Sequence, residues 1–310
     1  RCLPCWVVSP LLWGTSPLWP LTWDHAGENH HLWPLTWVPC RRESPPCSLT
    51  HGHIHASNMP GMLLGDVFPN FEAETTAGRV KLYEYLGDSW GILFTHPRDY
   101  TPVCTTELGR IARLDSEFRK RSVKLIGLSL DSLEDHCGWS KDILAYNCEE
   151  SECCKLPFPI IADSKRELAV ALGMLDPDEK DKDGLPLTAR CVFVIGPDKR
   201  LKLSLLYPAT TGRNFDEILR VVDSLQLTAM RRVATPADWK PGDCVMVPPN
   251  MPEEEAAALF PAGVFTKDLP SGKKYLRYTP DPQDQGECVD TEGSQTEPKP
   301  CTSLKTSFRL

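Results

Sequence analysis

A short stretch of this 310-residue chain places a cysteine where a helix is expected to begin. It reads His96-Pro97-Arg98-Asp99-Tyr100-Thr101-Pro102-Val103-Cys104. Thr101 suits an N-cap and Pro102 suits the first helical position, so Cys104 falls in the first turn. Unpaired backbone N–H groups and the positive end of the helix dipole favour a thiolate there. Because the thiolate is the reactive form, Cys104 is predicted to be a nucleophile, with the Thr101 hydroxyl directed at its sulfur.

The elements that would position this cysteine alternate between short apolar runs and helical stripes. Residues 90–94 form an apolar run typical of a buried strand, just before the cysteine-bearing stretch. Residues 103–121 then carry apolar side chains at helical spacing, namely Leu108, Ile111, Leu114 and Phe118. Further strands are predicted over residues 123–130, 160–162, 191–195 and 201–207, and helices over residues 132–146, 167–172 and 253–260 and from Asn214 onward. Strands alternating with helices indicate an α/β fold with a sheet covered on both faces.

Changes in composition divide the chain into four parts. Residues 1–58 hold six of the nine Trp and no Lys, without helical or strand periodicity, and are predicted to be a disordered extension preceding a natural start at Met59. Residues 59–234 are predicted to form the α/β domain. Prolines punctuate short elements over residues 235–280, which indicates a small C-terminal domain. Residues 281–310 are polar and aperiodic, as in a disordered tail.

The overall composition excludes some classes of protein. A net charge of −8 argues against a nucleic-acid binder, which usually carries a basic patch. No run of about 18 apolar residues predicts a membrane-spanning helix. The 13 cysteines are odd in number and irregularly spaced, which favours free thiols in a reducing compartment over a disulfide framework. No metal site is predicted, because Cys2 and Cys5 with the histidines near residue 53 match no familiar zinc spacing.

The pattern Pro97-x-x-x-Thr101-x-x-Cys104 resembles the active-site motif of peroxiredoxins, and in particular of the one-cysteine branch. The resemblance runs from Met59 to about Pro280 and includes the strings at residues 89–94, 155–160, 207–214 and 270–278. It implies a thioredoxin-like fold, with a central mixed sheet flanked by helices, and a small C-terminal peroxiredoxin domain.

The same resemblance implies a thiol-specific peroxidase and assigns roles to its residues. Cys104 would attack hydrogen peroxide, alkyl hydroperoxides and phospholipid hydroperoxides, forming a sulfenic acid. Thr101 and Arg190 would activate the sulfur and position the peroxide, Pro97 would shield the pocket, and His96 would line it. Cys244 is a minor alternative as a resolving cysteine.

The partners follow from the resemblance as well. Glutathione is expected to be the reductant, with a glutathione transferase as partner and no metal or organic cofactor. A homodimer is expected, together with peripheral phospholipid binding. The cytoplasm is the expected location, with the lysosome as a second one.

Two other functions remain open at this point. Gly87-x-Ser89-x-Gly91 matches a serine-hydrolase motif, although here the serine precedes the strand instead of following it. The resembled branch implies a calcium-independent phospholipase A2 using Ser89 and Asp198, but Tyr83 replaces its histidine. Tyrosine is a poor general base at neutral pH, so weak or absent lipase activity is predicted. The other alternative is a redox-responsive binding protein without turnover.

Overall fold

The computed structural model describes residues 61–147 and 155–282 of the chain. The predictions for residues 1–58 and for most of the C-terminal tail therefore lie outside the described residues. The strands in the described part are β1 (Glu72–Thr75), β2 (Gly78–Lys81), β3 (Trp90–Thr95), β4 (Val123–Ser129), β5 (Ile160–Ala162), β6 (Leu175–Lys180), β7 (Pro186–Thr188), β8 (Arg190–Ile195), β9 (Leu201–Tyr207), β10 (Val245–Val247), β11 (Phe265–Thr266) and β12 (Arg277–Thr279). The helices there are α1 (Leu82–Leu86), α2 (Pro102–Arg113), α3 (Asp115–Lys120), α4 (Leu133–Tyr146), α5 (Glu167–Ala171), α6 (Phe215–Met230) and α7 (Glu253–Leu259).

A seven-stranded mixed sheet forms the centre, in the order β2-β1-β5-β4-β3-β8-β9. Strands β3, β4 and β5 run parallel, whereas β8 is antiparallel to both β3 and β9. Side chains alternate between the two faces of each strand. On β3, Ile92 and Phe94 join the core that includes side chains of α2, α4 and α6, while Leu93 joins the core that includes α1 and α5. This arrangement confirms the predicted α/β fold with a mixed sheet flanked by helices.

Local sequence signals explain several helix boundaries. The Ser132 side chain accepts a hydrogen bond from the backbone N–H of Asp135 and caps α4. Asn214 caps α6 in the same way. None of the helices in the described ranges is long and apolar enough to cross a membrane.

The helix predicted over residues 103–121 is wrong in its length, because it breaks at Leu114. The Leu114 backbone N–H bonds to the carbonyls of both Arg110 and Ile111, which tightens the turn and ends α2. Leu114 and Phe118 still face the core, so the apolar stripe continues across the break. The β6–β7 hairpin was also missed, since its exposed acidic residues show no strand alternation.

The C-terminal residues form a smaller layer with a core of its own. Strands β10, β12 and β11 make a three-stranded sheet in that order. Trp239 is 1% exposed and packs in this core with Val245 and Met251, and Leu227 near the end of α6 joins them. The predicted domain boundary between residues 234 and 235 stays a prediction.

Candidate active site

The loop between β3 and α2 places Cys104, the predicted nucleophile, at one end of the sheet. Tyr100 in this loop has a φ of +53°, a conformation uncommon for residues other than glycine. Its ring packs on Trp139, and its hydroxyl fills the space where a Cβ at position 138 would lie, at 2.4 Å. Gly138 therefore makes room for this strained turn, which ends where Pro102 starts α2.

Arg190 reaches the same place because of strand pairing. Strand β8 is antiparallel to β3 with Phe94 opposite Val192, so the start of β8 lies beside the end of β3. Arg190 Nη1 lies 3.3 Å from Cys104 Sγ, and both side chains are almost completely buried. The other guanidinium nitrogens, Nε and Nη2, donate to the carbonyl of Ala209 at 3.0 and 2.6 Å, which fixes the orientation of the group.

Glu107, one turn after Cys104, connects two buried arginines. Its Oε2 accepts from Arg190 Nη1 at 2.7 Å and from Arg213 Nη2 at 2.8 Å, and its Oε1 accepts from Arg213 Nε at 3.0 Å. Burial alone would raise the pKa of Glu107, but the two arginines outweigh it and hold the pKa below its ordinary value. Two guanidinium groups and one carboxylate leave one buried positive charge, which a thiolate at Cys104 would neutralise.

Thr101 is the N-cap residue of α2, but its side chain does not act as predicted. Its hydroxyl donates to the carbonyl of Arg98 at 2.9 Å and makes no capping bond. The expectation that this hydroxyl is directed at the sulfur of Cys104 is therefore not met, because the turn at Arg98 takes its only proton. The Thr101 oxygen keeps its lone pairs and remains a hydrogen-bond acceptor.

His96 and Pro97 are both buried beside this site. His96 is fully buried, and its Nε2 lies 2.5 Å from Asp99 Oδ1. Its ring lies against Trp139, with centroids 5.0 Å apart. Among the described residues, no hydrogen bond joins His96 to Cys104.

The sequence reasoning missed several functional candidates, all of which pair across long stretches of chain. Arg213 stands within the quoted string at residues 207–214 and Glu107 lies three residues after Cys104, but nothing in their spacing indicates the contact between them. Asp99 Oδ2 lies 2.5 Å from Nδ1 of His136, a residue of α4. Burial would raise the pKa of Asp99, but its hydrogen bonds to His136 and His96 lower it overall.

The three residues considered for ester hydrolysis do not form a catalytic triad. Ser89 precedes β3, and Asp198 lies in the turn between β8 and β9, so both stand at the end of the sheet opposite Cys104. Asp198 is paired with Lys202 at 2.6 Å. The Tyr83 hydroxyl donates to the carbonyl of Phe68 at 2.5 Å. Within residues 61–147 and 155–282, no hydrogen bond connects Ser89, Asp198 and Tyr83.

Comparison with known proteins identifies the family to which this site belongs. The model of the AhpC/TSA family matches residues 64–204, and that of the C-terminal domain of 1-Cys peroxiredoxin matches residues 224–263. Peroxiredoxin-6 of Gallus gallus is 73% identical over 225 residues, which cover 73% of this chain and 100% of the relative. The chain belongs to the peroxiredoxin family. Peroxiredoxin-6 of Homo sapiens is 75% identical over 225 residues, covering 72% of this chain and 100% of the human protein.

Solved peroxiredoxin structures support the same assignment. A cysteine-to-serine mutant of the peroxiredoxin 6 of Arenicola marina matches with a TM-score of 0.69 and 61% identity, over 72% of this chain and 100% of that one. A yeast mitochondrial 1-Cys peroxiredoxin matches with a TM-score of 0.63 and 44% identity, over 71% and 99%. The predicted thioredoxin-like fold, the one-cysteine branch and the thiol peroxidase class are thereby confirmed, and the phospholipase alternative is not favoured.

Proposed function

We propose that this peroxiredoxin reduces hydroperoxides with Cys104 as the peroxidatic nucleophile. The observation that carries the proposal is the 3.3 Å contact between Arg190 Nη1 and Cys104 Sγ at the start of α2. The buried charges around Glu107 sum to zero only when the sulfur is a thiolate, so the site favours the reactive form. The first-turn N–H groups of α2 add to this stabilisation.

The chemistry follows from these groups. The Cys104 thiolate attacks the outer oxygen of the hydroperoxide, the S–O bond forms, and the O–O bond breaks. The leaving oxygen takes the electron pair and then a proton from a water molecule, which is left as hydroxide; the other products are an alcohol or water and a sulfenic acid on Cys104. Arg190 stabilises the negative charge on the leaving oxygen, the Thr101 oxygen accepts a hydrogen bond from the peroxide O–H, and Pro97 keeps bulk water out.

Glutathione is the reductant that we propose for the sulfenic acid, delivered with the help of a glutathione transferase. Support comes from the yeast relative, whose resolving mechanism is described as proceeding through glutathione/thioredoxin systems. Cys191 is a poor resolving residue because it lies on the other face of β8, and burial raises the pKa of its thiol to about 11. Free thiols at Cys104, Cys137 and Cys191 suit a reducing compartment, for which we propose the cytoplasm, with the lysosome as a second location.

Matched cysteine variants test the assignment of the nucleophile. Peroxide consumption with glutathione and a glutathione transferase is measured for Cys104→Ser, Cys137→Ser and Cys191→Ser. We expect turnover to disappear only in Cys104→Ser, since Cys137 is exposed on α4 and Cys191 is buried in a different core. Intact-mass analysis after one equivalent of peroxide locates the oxidised sulfur. Full turnover by Cys104→Ser would contradict the assignment of Cys104 as the nucleophile. An unmutated chain that folds but shows no turnover would favour a redox-responsive binding protein.

A homodimer formed along β9 is the assembly that we propose. Strand β9 is the edge of the seven-stranded sheet, and Leu206 on it is 63% exposed. An exposed edge strand presents unpaired N–H and C=O groups to a second copy. Sedimentation of the unmutated chain should give a dimer, and Leu206→Lys should shift it towards monomer. A monomer in both cases would contradict this part of the proposal.

Phospholipid hydroperoxides are included among the proposed substrates, with peripheral binding to phospholipid surfaces. The family resemblance alone supports this part. Co-sedimentation with acidic vesicles tests binding, and reduction of a phospholipid hydroperoxide by the unmutated chain but not by Cys104→Ser tests turnover. No phospholipid ester hydrolysis is expected, because the Tyr83 hydroxyl donates to Phe68 and cannot take the histidine's place as base.

A further inference from the structure

The hairpin of β11 and β12, in the small C-terminal layer, carries two exposed aromatic side chains. Phe265 is 48% exposed and Tyr275 is 51% exposed. The ring of Phe265 stacks on that of Tyr278, its partner in β12, with the ring centroids 5.7 Å apart. Large apolar side chains that are gathered on one exposed element indicate an interaction surface, whereas single ones scattered over a protein do not.

The alternation of side chains along β12 shows which face of the hairpin is outward. Arg277 is buried, and its Nη1 donates to the carbonyl of Met251 at 2.6 Å. Successive side chains of a strand point to opposite faces, so Tyr278 and its cross-strand partner Phe265 lie on the outward face. Lys267 stands two residues after Phe265 and therefore lies on the same face.

Lysines accompany these aromatic rings. Lys267, Lys273 and Lys274 are exposed, and none of the three forms an ion pair within residues 61–147 and 155–282. Asp268 is the one acidic residue in the stretch 265–277. Three lysines, one arginine and one aspartate give this stretch a net charge of +3, in a chain whose net charge is −8. The hairpin is therefore a local cationic surface on an acidic protein.

The loop at the tip of the hairpin is held in a fixed shape. The Gly272 N–H donates to the carbonyl of Leu269 at 2.9 Å and closes a turn, in which Gly272 has a φ of +69° that suits glycine. The Lys267 N–H donates to the carbonyl of Leu276 at 2.9 Å and closes the base of the loop. Because the backbone is held in this way, residues 273–275 are presented together with a small ordering cost on binding.

Aromatic rings beside lysines fit the surface of a membrane that carries anionic phospholipids. Amphipathic rings such as that of tyrosine lie at the level of the headgroups, where one end is apolar and the other is wet. Lysines near such a surface are attracted by the negative headgroups. A stable protein interface takes about 20–30 residues from each partner, more than the stretch 265–277 supplies, whereas lipids can gather around a small projection.

We propose that the outward side of this hairpin docks the protein onto membranes that carry anionic phospholipids. The residues of this surface, which we call the hairpin face, are Phe265, Lys267, Lys273, Lys274 and Tyr275. The lysines attract the anionic headgroups, and the two rings bury apolar surface among them. This inference rests on the proposed binding to phospholipid surfaces and names the part of the molecule that makes the contact. None of the residues considered for ester hydrolysis belongs to the hairpin face.

Lysine labelling of the unmutated chain is the first test. Acetylation is mapped by mass spectrometry with and without vesicles of phosphatidylserine and phosphatidylcholine. We expect these vesicles to protect Lys267, Lys273 and Lys274, while Lys180 and Lys182, exposed on the hairpin of β6 and β7, stay accessible. Equal labelling of the two groups in the presence of vesicles would overturn the inference, and this measurement does not depend on any variant folding.

The double variant Lys273→Ala/Lys274→Ala tests the electrostatic part. A lysine near an anionic membrane strengthens binding about fivefold, so losing two should weaken co-sedimentation with these vesicles about 30-fold. The unmutated chain should bind less at high salt and should not bind vesicles of pure phosphatidylcholine. Tyr275→Ser should also weaken binding but keep its salt dependence, because it removes a ring and no charge.

Lys180→Ala/Lys182→Ala is the matched control, since it removes the same charge from another exposed hairpin. It should bind the acidic vesicles as the unmutated chain does. Equal binding by the two double variants would overturn the inference while leaving the proposed phospholipid binding intact. An unmutated chain that binds no acidic vesicles would contradict the phospholipid binding itself, and the inference with it. Neither result changes the test of Cys104.

Sedimentation distinguishes a membrane surface from an interface between copies of the chain. We expect Lys273→Ala/Lys274→Ala to keep the assembly of the unmutated chain, since the proposed dimer forms along β9 at the edge of the large sheet. A double variant that becomes monomeric but binds vesicles as the unmutated chain does would assign the hairpin face to a protein interface and refute its role in membrane docking.

Discussion

Replacing Arg190 with methionine removes the positive charge nearest to the sulfur. At 3.3 Å and an effective dielectric constant of about 20, two unit charges attract by about 5 kcal/mol. Glu107 Oε2 lies 2.7 Å from the same Nη1 and offsets part of this attraction. If about half of the attraction remains after this offset, Arg190 stabilises the thiolate and the transition state by roughly 2–3 kcal/mol. Losing this stabilisation corresponds to about a 30- to 150-fold slower reaction.

The assay is the single-turnover oxidation of Cys104 by hydrogen peroxide, followed by trapping of the sulfenic acid and intact-mass analysis. Methionine is unbranched and fills most of the buried space left by the arginine. Glu107 remains paired with Arg213 in this variant, so the fold should persist, which an unfolding curve checks. Ultraviolet absorbance of the thiolate should fall in parallel with the rate.

Arg190→Lys separates charge from geometry. Lysine keeps the positive charge, but it cannot contact Cys104, Glu107 and the Ala209 carbonyl together as the planar guanidinium does. We expect a rate between those of the unmutated chain and Arg190→Met. A rate for Arg190→Met within about threefold of the unmutated chain, with Cys104→Ser inactive, would refute the electrostatic reasoning.

The remaining predictions concern stability and pH. Leu108→Ala should lower the free energy of unfolding in urea by about 2–5 kcal/mol, because the side chain is fully buried. Asn214→Ala should lower it by about 1 kcal/mol, since two N–H groups of α6 lose their cap. Burial raises the pKa of Cys191 to about 11, so alkylation mapped by mass spectrometry should spare it until the chain unfolds. Because the folded chain keeps the Cys191 thiol protonated more strongly than the unfolded chain does, this thiol stabilises the fold at lower pH. The stabilisation should be lost as the pH rises towards about 11. The pKa of Glu107 lies below its usual 4.5, so its stabilisation should be present above that pH and lost as the pH falls through the lowered value. In Glu107→Gln, the midpoint of urea unfolding should therefore fall less steeply as the pH is lowered.

Local patterns in the sequence were sufficient to predict the strands and helices β3, β4, β5, β8, β9, α2, α4, α5, α6 and α7. The apolar run of β3 and the helical stripe of α2 each depend on residues close together in the chain, so their period is visible without the fold. The break at Leu114 was not predictable in this way, because the core-facing stripe continues through it. The β6–β7 hairpin has no alternating pattern and depends on pairing across its turn.

The placement of Cys104 in the first turn of a helix was determined by the sequence alone, since Pro102 suits the first helical position and lies only two residues before it. The contacts that make this sulfur reactive were decided by the tertiary structure. Arg190 is 86 residues away and reaches Cys104 only because β8 lies beside β3 in the sheet. Hydrogen bonds between distant side chains depend on the order of strands and the packing of helices, and neither leaves a periodic signal in the chain.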